Sequence, residues 1–306
     1  MHNPGMFDWN DLRHFLAVAR EGSTLAAAKT LGVNQSTVHR RLVELERRLG
    51  CVLVERHPTG YRLTEFGKDL LPHAQRVEDE ANALQRRVMA FDQKMRGSIR
   101  LTCSTTVAHR LMTTQFLDAF HARFPEVKVE LLMTERLLDI SKGEADVAIR
   151  GGGPKEPNLV GKKIADVPWG IYASRRYIER HGRPKRPEDA DAHSVIEFIG
   201  EIANLKAAEW LRSKAPLATV AGQSSNIPSV LMAVKAGVGL AALPAPLANH
   251  DNELVCVFGP IAELDYPTFL VTHRELRDIP RIRAFFEYCQ TQLKPIVRGV
   301  QRRKAS

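Results

Sequence analysis

Two hydrophobic periods divide the chain. Up to about residue 95, apolar positions recur every three or four residues, the period of an amphipathic helix; from residue 97, short β-like runs alternate with helical ones. In the first part, Leu12, Phe15, Leu16 and Ala19 predict a packing helix ended near Gly22. Ser23 is a good N-cap for a second helix carrying Leu25, Ala26, Ala27, Ala28 and Leu31, and Gly32-Val33-Asn34 predicts a tight turn. A third helix then opens at Asn34, its N-cap, and closes at Gly50, which suits the C′ position. Val38, Leu42, Leu45 and Leu49 form its apolar stripe. Ser36, Thr37, Arg40, Glu44 and Arg47 lie opposite, with Gln35 beside them. Val52-Leu53-Val54 and Tyr61-Arg62-Leu63 are short β-like runs around the turn signal Pro58-Thr59-Gly60.

This succession predicts a winged helix-turn-helix over residues 8–67, with the helix-turn-helix itself at 23–42. Residues at the start of a recognition helix are the ones that reach base edges. Gln35 can pair with adenine and Arg40 with guanine; Ser36 and Thr37 can bond bases or phosphate. His39 sits on the flank nearer the apolar stripe, where packing and a DNA contact are both open to it. Arg56, His57 and Arg62 would stand on the wing near phosphates or the minor groove. An ordinary amphipathic helix with a solvated basic face explains the third helix alone but leaves the hairpin behind it unexplained.

From Thr64 to about Met95 the text reads as one linker helix, kinked at Pro72. Leu70, Val77, Leu84 and Phe91 recur at sevens, as do Ala74, Ala81, Val88 and Met95, giving a seam of about four heptads. The seam predicts a dimer contact through Leu70, Val77, Leu84, Val88 and Phe91; a helix packed on its own domain is the other reading.

After Arg96-Gly97-Ser98, strands are expected at 99–103, 127–133, 145–149, 170–173, 195–198, 219–221, 240–243, 254–258 and 269–272. Helices are expected at 107–124, 137–142, around Arg176, Trp210 and Met232, and at 279–297. Such alternation indicates doubly wound α/β layers with mainly parallel sheets.

Composition adds a partner and removes several classes. The 306 residues carry a formal net charge of +9, which favours a polyanion such as nucleic acid, and 44% hydrophobic residues, enough for a core. The N-terminal text lacks the pattern of a signal peptide, and no apolar run suits a bilayer span. Cys51, Cys103, Cys256 and Cys289 are scattered, as expected of a reduced cytoplasmic protein. The basic residues Lys294, Arg298, Arg302, Arg303 and Lys304 read as a solvated tail. Gly237-Val238-Gly239-Leu240-Ala241-Ala242 follows a helix and precedes a strand, the reverse of a dinucleotide fingerprint. With no nucleophile elbow, phosphate loop or zinc spacing in the text, no enzyme, metal or cofactor is expected.

Residues 11–67, with the E-x-x-L-G ending at Leu49-Gly50, the Glu55-Arg56 of the wing and the closing L-T-E-x-G, resemble the LysR-type transcriptional regulators. Gln35 and Arg40 match the family's recognition-helix text, so a DNA role is implied for them; Ser36 and His39 depart from it. The resemblance continues more loosely at F-x-x-x-F-P (120–125), G-E-A-D-V-A-I-R (143–150) and A-G-V-G-L-A-A-L-P (236–244). It implies a dimerising linker helix at 64–95. It also implies an effector-binding domain at 97–300 with the fold of type 2 periplasmic binding proteins: subdomain I at 97–165 and 267–300, subdomain II at 166–266. Tetramers, bent DNA and contact with RNA polymerase are further implications. In open α/β sheets, ligands sit at strand carboxyl ends, where helix starts expose N–H groups. Ser104, Thr105 and Thr106 in one subdomain, and Ser225 and Asn226 in the other, stand at such places; capping their own helices is the alternative role. Arg150 would add a positive charge and Phe198 would line the cleft. The expected function is a regulator reading a near-palindromic operator on double-stranded DNA as a homodimer or homotetramer, switched by a small, anionic metabolite. The rivals are a ligand-independent architectural DNA-binding protein and an α/β enzyme.

Overall fold

The computed structural model describes residues 8–58, 60–91, 94–133, 138–154 and 156–298. The expectations at Thr59, Leu137, Arg302, Arg303 and Lys304 lie outside them, as does the Phe91 side chain. The chain forms two units that divide between residues 88 and 89.

The first unit holds α1 (Trp9–Glu21), α2 (Thr24–Leu31), α3 (Gln35–Leu49), β1 (Val54–His57), β2 (Gly60–Leu63) and most of α4 (Glu65–Phe91). Gly22 and Gly32 end α1 and α2 at φ 64° and 67°, a left-handed backbone that side chains with a Cβ resist. The Ser23 hydroxyl accepts from Leu25 N and Ala26 N, both at 3.2 Å, and so starts α2. Phe15, Leu16, Ala27, Val38, Leu42, Leu45 and Leu53 are buried together. Each large member contributes about 1.5–3 kcal/mol by leaving water. Across this core, Arg41 of α3 donates to the fully buried Asp11 carboxylate of α1 at 3.1 Å.

The wing begins two residues later than expected. Leu53 N and Val54 N both donate to the Glu46 carboxylate, at 2.8 and 3.2 Å, and Val52 O accepts from the Thr64 hydroxyl at 2.7 Å. Those groups are therefore committed before strand pairing starts. The hairpin is docked on the α1–α2 turn through Tyr61 N, which donates to Gly22 O at 2.7 Å. A Cβ at Gly60 would fall 2.3 Å from that same oxygen.

Thr64 opens α4, accepting from Gly67 N at 3.0 Å, and the helix continues through Pro72. It ends at Phe91, so Met95 lies beyond it. The seam is split: Leu70 and Ala74 pack into the first unit's own core, while Val77, Leu84 and Val88 are 41%, 66% and 66% exposed. Leu70, expected as a dimer contact, is half-buried against the first unit's own core.

The second unit runs in chain order through β3 (Gly97–Cys103), α5 (Thr105–Thr113), α6 (Phe116–Arg123), β4 (Val127–Leu132), β5 (Val147–Gly151) and β6 (Leu159–Val167). Next come β7 (Trp169–Ser174), α7 (Arg175–His181), β8 (Ser194–Phe198), α8 (Lys206–Lys214), β9 (Thr219–Ser224) and α9 (Ile227–Lys235). It closes with β10 (Ala241–Pro244), α10 (Ala245–Ala248), β11 (Leu254–Phe258), β12 (Tyr266–His273) and α11 (Pro280–Arg298). One sheet has the order β4-β3-β5-β12-β6. The other side has β10-β7-β11 and β8-β9, linked by a parallel bridge between Val195 and Leu240. The chain crosses between the two sides at Val167–Trp169 and again before Tyr266, and Tyr266 pairs with Val167. Each side has its own core, around Ile99, Leu101, Phe120 and Phe285 on one and Ile171, Tyr172, Val230 and Leu243 on the other.

Three expectations are corrected here, and one strand was not expected. The sheets are mixed rather than mainly parallel, because β12 runs antiparallel to β5 and β6, and β10 and β11 run antiparallel to β7. The expected helix at 107–124 is two helices. The Thr113 and Thr114 hydroxyls donate to His109 O and Arg110 O, each at 2.8 Å, and the backbone at Thr114 is extended. In place of a helix up to Lys142, residues 139–144 form a turn in which Asp139 Oδ1 accepts from Ser141 N and Lys142 N. Strand β6 was not anticipated.

Candidate nucleic-acid interface and effector cleft

On α3, burial follows the expected stripe: Val38, Leu42 and Leu45 are buried, while Gln35, Ser36, His39 and Arg40 are exposed and Thr37 is half-buried. His39 therefore faces solvent, and the packing reading does not apply to it. Gln35 donates from Nε2 to the Thr24 hydroxyl at 3.0 Å, which leaves its Oε1 and second N–H for other partners. Asn34 occupies the N-cap position but its side chain makes no capping bond.

The other cations of the helix are occupied. Arg47 and Arg48 each donate to Glu44, Arg47 from Nε at 2.9 Å and NH2 at 2.7 Å, and Arg48 at 2.7 Å. The hydrogen bond from Arg47, then that from Arg48, holds the Glu44 carboxyl at about 2, far below its usual 4.5. Arg41 is held by Asp11. Among the described residues, Arg40 alone of the four α3 arginines has no carboxylate partner.

On the wing, Arg56 pairs with Tyr61 and Arg62 with Glu55. Cross-strand partners share a face, so Arg56 and Arg62 point to opposite faces of the hairpin. Arg56 shares its face with Val54, Tyr61 and Leu63, all on the first unit's core. One phosphate cannot be met by both arginines in the same way.

In the second unit, α5 and α9 pack against each other, which brings the helices that start at Ser104–Thr106 and Ser225–Asn226 together. Their caps are engaged. Ser104 Oγ accepts from Val107 N at 3.3 Å, and Asn226 Oδ1 accepts from Ser229 N at 2.9 Å. Thr105 and Ser225 are exposed and Thr106 is half-buried. Arg150 lies opposite Phe269 on β12, its side chain 14% exposed and 3.7 Å from the Glu156 carboxylate. Phe198 is corrected from a cleft-lining residue to a core residue: it is 3% exposed and meets Trp169 edge-on at 6.4 Å. It also lines a cavity of about 280 Å³ between α8 and β8–β9, with Leu211, Ala207 and Ala208.

One residue was missed. Arg110 of α5 donates from Nε to Ile296 O of α11 at 2.7 Å and from NH1 to Pro246 O of α10 at 2.5 Å. It thus joins the two sides of the second unit. Both acceptors lie in last turns of helices, where carbonyls lack intrahelical donors and the dipole favours a cation. The sequence signal was an arginine placed among Val107, Ala108 and Leu111. Among the described residues there is no cluster of His, Cys, Asp or Glu able to hold a metal, and no helix long and apolar enough to cross a membrane.

Residues 9–68 match the family model of the bacterial regulatory helix-turn-helix proteins of the lysR family, and residues 92–294 match that of the LysR substrate binding domain. An HTH-type transcriptional regulator of Xanthomonas campestris pv. campestris (strain 8004) is 34% identical over 189 residues, covering 62% of this chain and 55% of the relative. The probable HTH-type transcriptional regulator LtrA of Klebsiella pneumoniae is 31% identical over 191 residues, covering 62% and 61%. The chain thus spans less than two thirds of the length of these curated relatives. Full-length AphB, the virulence activator of Vibrio cholerae, has the same fold with a TM-score of 0.63 at 21% identity, covering 92% of this chain and 98% of that one. Full-length CbnR, solved with its target DNA, gives a TM-score of 0.55 at 22% identity and the same coverage. With a helix-turn-helix unit followed by a two-sided α/β unit, and both of the family's models matched in that order, the chain belongs to the LysR family of bacterial helix-turn-helix regulators.

Proposed function

We propose that the chain is a sequence-specific DNA-binding transcriptional regulator of the cytoplasm, switched by a small anionic metabolite held between the two sides of its second unit. The observation that carries the reading is the opening of α3. Gln35, Ser36 and Arg40 are exposed at the helix start while the opposite face is buried, and Arg40 keeps its charge uncompensated. Gln35 and Arg40 would read base edges, Ser36, Thr37 and His39 would contact bases or phosphate, and Arg62 on the outer face of the wing would contact the backbone. Arg56 would reach DNA only from the hairpin's other face.

Two copies joined along Val77, Leu84, Val88 and Phe91 would present two such helices to a near-palindromic operator, and their binding free energies would add. A homodimer or homotetramer, and contact with RNA polymerase, belong to the same reading. In the second unit, Thr105, Thr106 and Ser225 would meet the metabolite beside the capped Ser104 and Asn226, with Arg150 supplying charge once it leaves Glu156. A ligand favouring one spacing of the two sides would shift the relation of the recognition helices by linkage.

The test is a promoter fragment from beside the gene, footprinted with the parent and with a Gln35→Ala, Arg40→Ala variant. The variant should lose both affinity and selectivity. Unchanged protection would end the regulator reading. For the cleft, calorimetry with a panel of organic acids should find a ligand whose affinity falls in Thr105→Val, Arg150→Ala; a panel that never shifts the melting temperature favours a ligand-independent DNA-binding protein.

A further inference from the structure

A dense run of positive charge lies outside the helix-turn-helix unit, on the second unit. The twelve residues 175–186, R-R-Y-I-E-R-H-G-R-P-K-R, hold six Lys/Arg and one Glu, a net +5 out of +9 for the whole chain. The helix-turn-helix region, residues 9–68, has ten Lys/Arg and six Asp/Glu, a net +4 over five times the length.

All six cations of the segment are exposed. Three are anchored by backbone carbonyls rather than by carboxylates. Arg175 donates from Nε to Asn252 O at 2.7 Å, Arg176 from NH2 to Ala236 O at 3.1 Å, and Arg183 from NH2 to Cys256 O at 2.8 Å. A carbonyl orients the guanidinium without cancelling its charge, and most of its five N–H donors stay free. Arg186 is compensated by Asp189 at 3.3 Å and so drops out of the free charge, while Glu188 is 3.8 Å from Lys214, outside the segment. Among the described residues, Arg175, Arg176, Arg180, Arg183 and Lys185 have no carboxylate within ion-pair distance. A solvated face built for solubility needs no such anchoring. Pre-oriented forks of this type match phosphate oxygens.

We propose that residues 175–186, on and after α7, form a second DNA contact in this chain, made to the phosphate backbone of duplex DNA and indifferent to sequence. It extends the DNA-binding reading above, since a chain that reads bases through α3 would gain affinity by also neutralising phosphates elsewhere on the same duplex. Each phosphate contact releases condensed counterions, and the salt dependence of binding counts them.

The test uses the full chain, a random-sequence duplex of about 80 base pairs, and fluorescence anisotropy over a range of salt. Arg180→Gln, Lys185→Gln is the primary variant, because neither side chain has a structural partner among the described residues. Its slope of log affinity against log salt should be shallower than the parent's by about 0.9 per lost contact, up to about 1.8. Preference between competing duplex sequences should not change. Arg180→Lys, Lys185→Arg should restore the parent slope, and the melting temperature should be the same in all three. An unchanged slope in the Gln variant overturns the proposal. So does an unchanged slope combined with loss of transcription by added RNA polymerase, which would assign the surface to an acidic protein. A parent that binds no DNA at all would instead defeat the regulator reading itself.

Discussion

The helix starts at α3, α5 and α9 each carry Ser or Asn at the cap, and they use it differently. At α5 and α9 the side chains of Ser104 and Asn226 bond their own helices. At α3 the Asn34 side chain makes no such bond, and the next residue, Gln35, is tied to Thr24 of the preceding helix. The same residue types are thus committed in the cleft and uncommitted at the recognition helix. What keeps α3 in place is burial of its opposite face and the Arg41–Asp11 link, which leaves its opening turn available to a partner.

The contrast can be broken by mutation. The largest effect belongs to Arg40→Ala with Gln35→Ala, which should lower operator affinity on the order of 10²–10⁴-fold if each pairs with a base, measured by anisotropy on the footprinted site. Next is Arg110→Gln. Losing two bonds from a cation to helix-end carbonyls should destabilise the second unit by ~2 kcal/mol in calorimetry and leave the first unit's transition unmoved. Equal shifts in both transitions would show that Arg110 is not specific to the second unit. The caps come third. Ser104→Ala and Asn226→Ala should each cost ~1 kcal/mol, whereas Asn34→Ala should cost much less because no capping bond is lost. Equal losses at all three would erase the distinction drawn here.

The smallest effect is electrostatic. Glu44 should titrate near 2 by carboxyl NMR. Its folded value is depressed, so the stabilisation from Arg47 and Arg48 is present above the ordinary 4.5 and is lost as pH falls towards 2. Arg47→Gln, Arg48→Gln should raise the midpoint towards 4.5. Thiol chemistry gives a last check of burial: Cys51 is exposed and should react with a thiol reagent in the native state. Burial pushes Cys103 up to about 12 and raises Cys289 well above the ordinary thiol range, so both should react much more slowly than Cys51 in the native state.

The first unit was legible because its helices are amphipathic and its turns are marked by Gly22, Gly32 and Gly50, all local signals. What escaped was set by distant groups. The wing starts late because Glu46 takes the amides of Leu53 and Val54. Leu70 satisfies the heptad period and yet is used by its own core. Strand β6 hides because it is the outer strand of its sheet and its middle residues, Gly161, Lys162 and Lys163, are exposed, so no alternation is written into it. Phe198 ends strand β8, where a cleft residue can sit, but the ring packs on Trp169. Arg110 shows the same limit at the candidate cleft: its acceptors are 136 and 186 residues away in sequence.

Asp11 bears on how much free positive charge α3 presents. Its buried carboxylate holds Arg41 at 3.1 Å and lies 3.9 Å from Arg48, so one acid on α1 tempers two cations on α3. A chromosome offers an enormous excess of wrong sites, all equally rich in phosphate, and every loose cation on the reading helix raises occupancy of those sites as much as of the right one. Among the described residues, Asp11 and Glu44 together leave Arg40 as the α3 arginine without a carboxylate partner. Changing Asp11 to Asn would leave Arg41 uncompensated at that distance, and under the DNA-binding reading proposed above, affinity for random-sequence duplex should rise with no matching gain in selectivity.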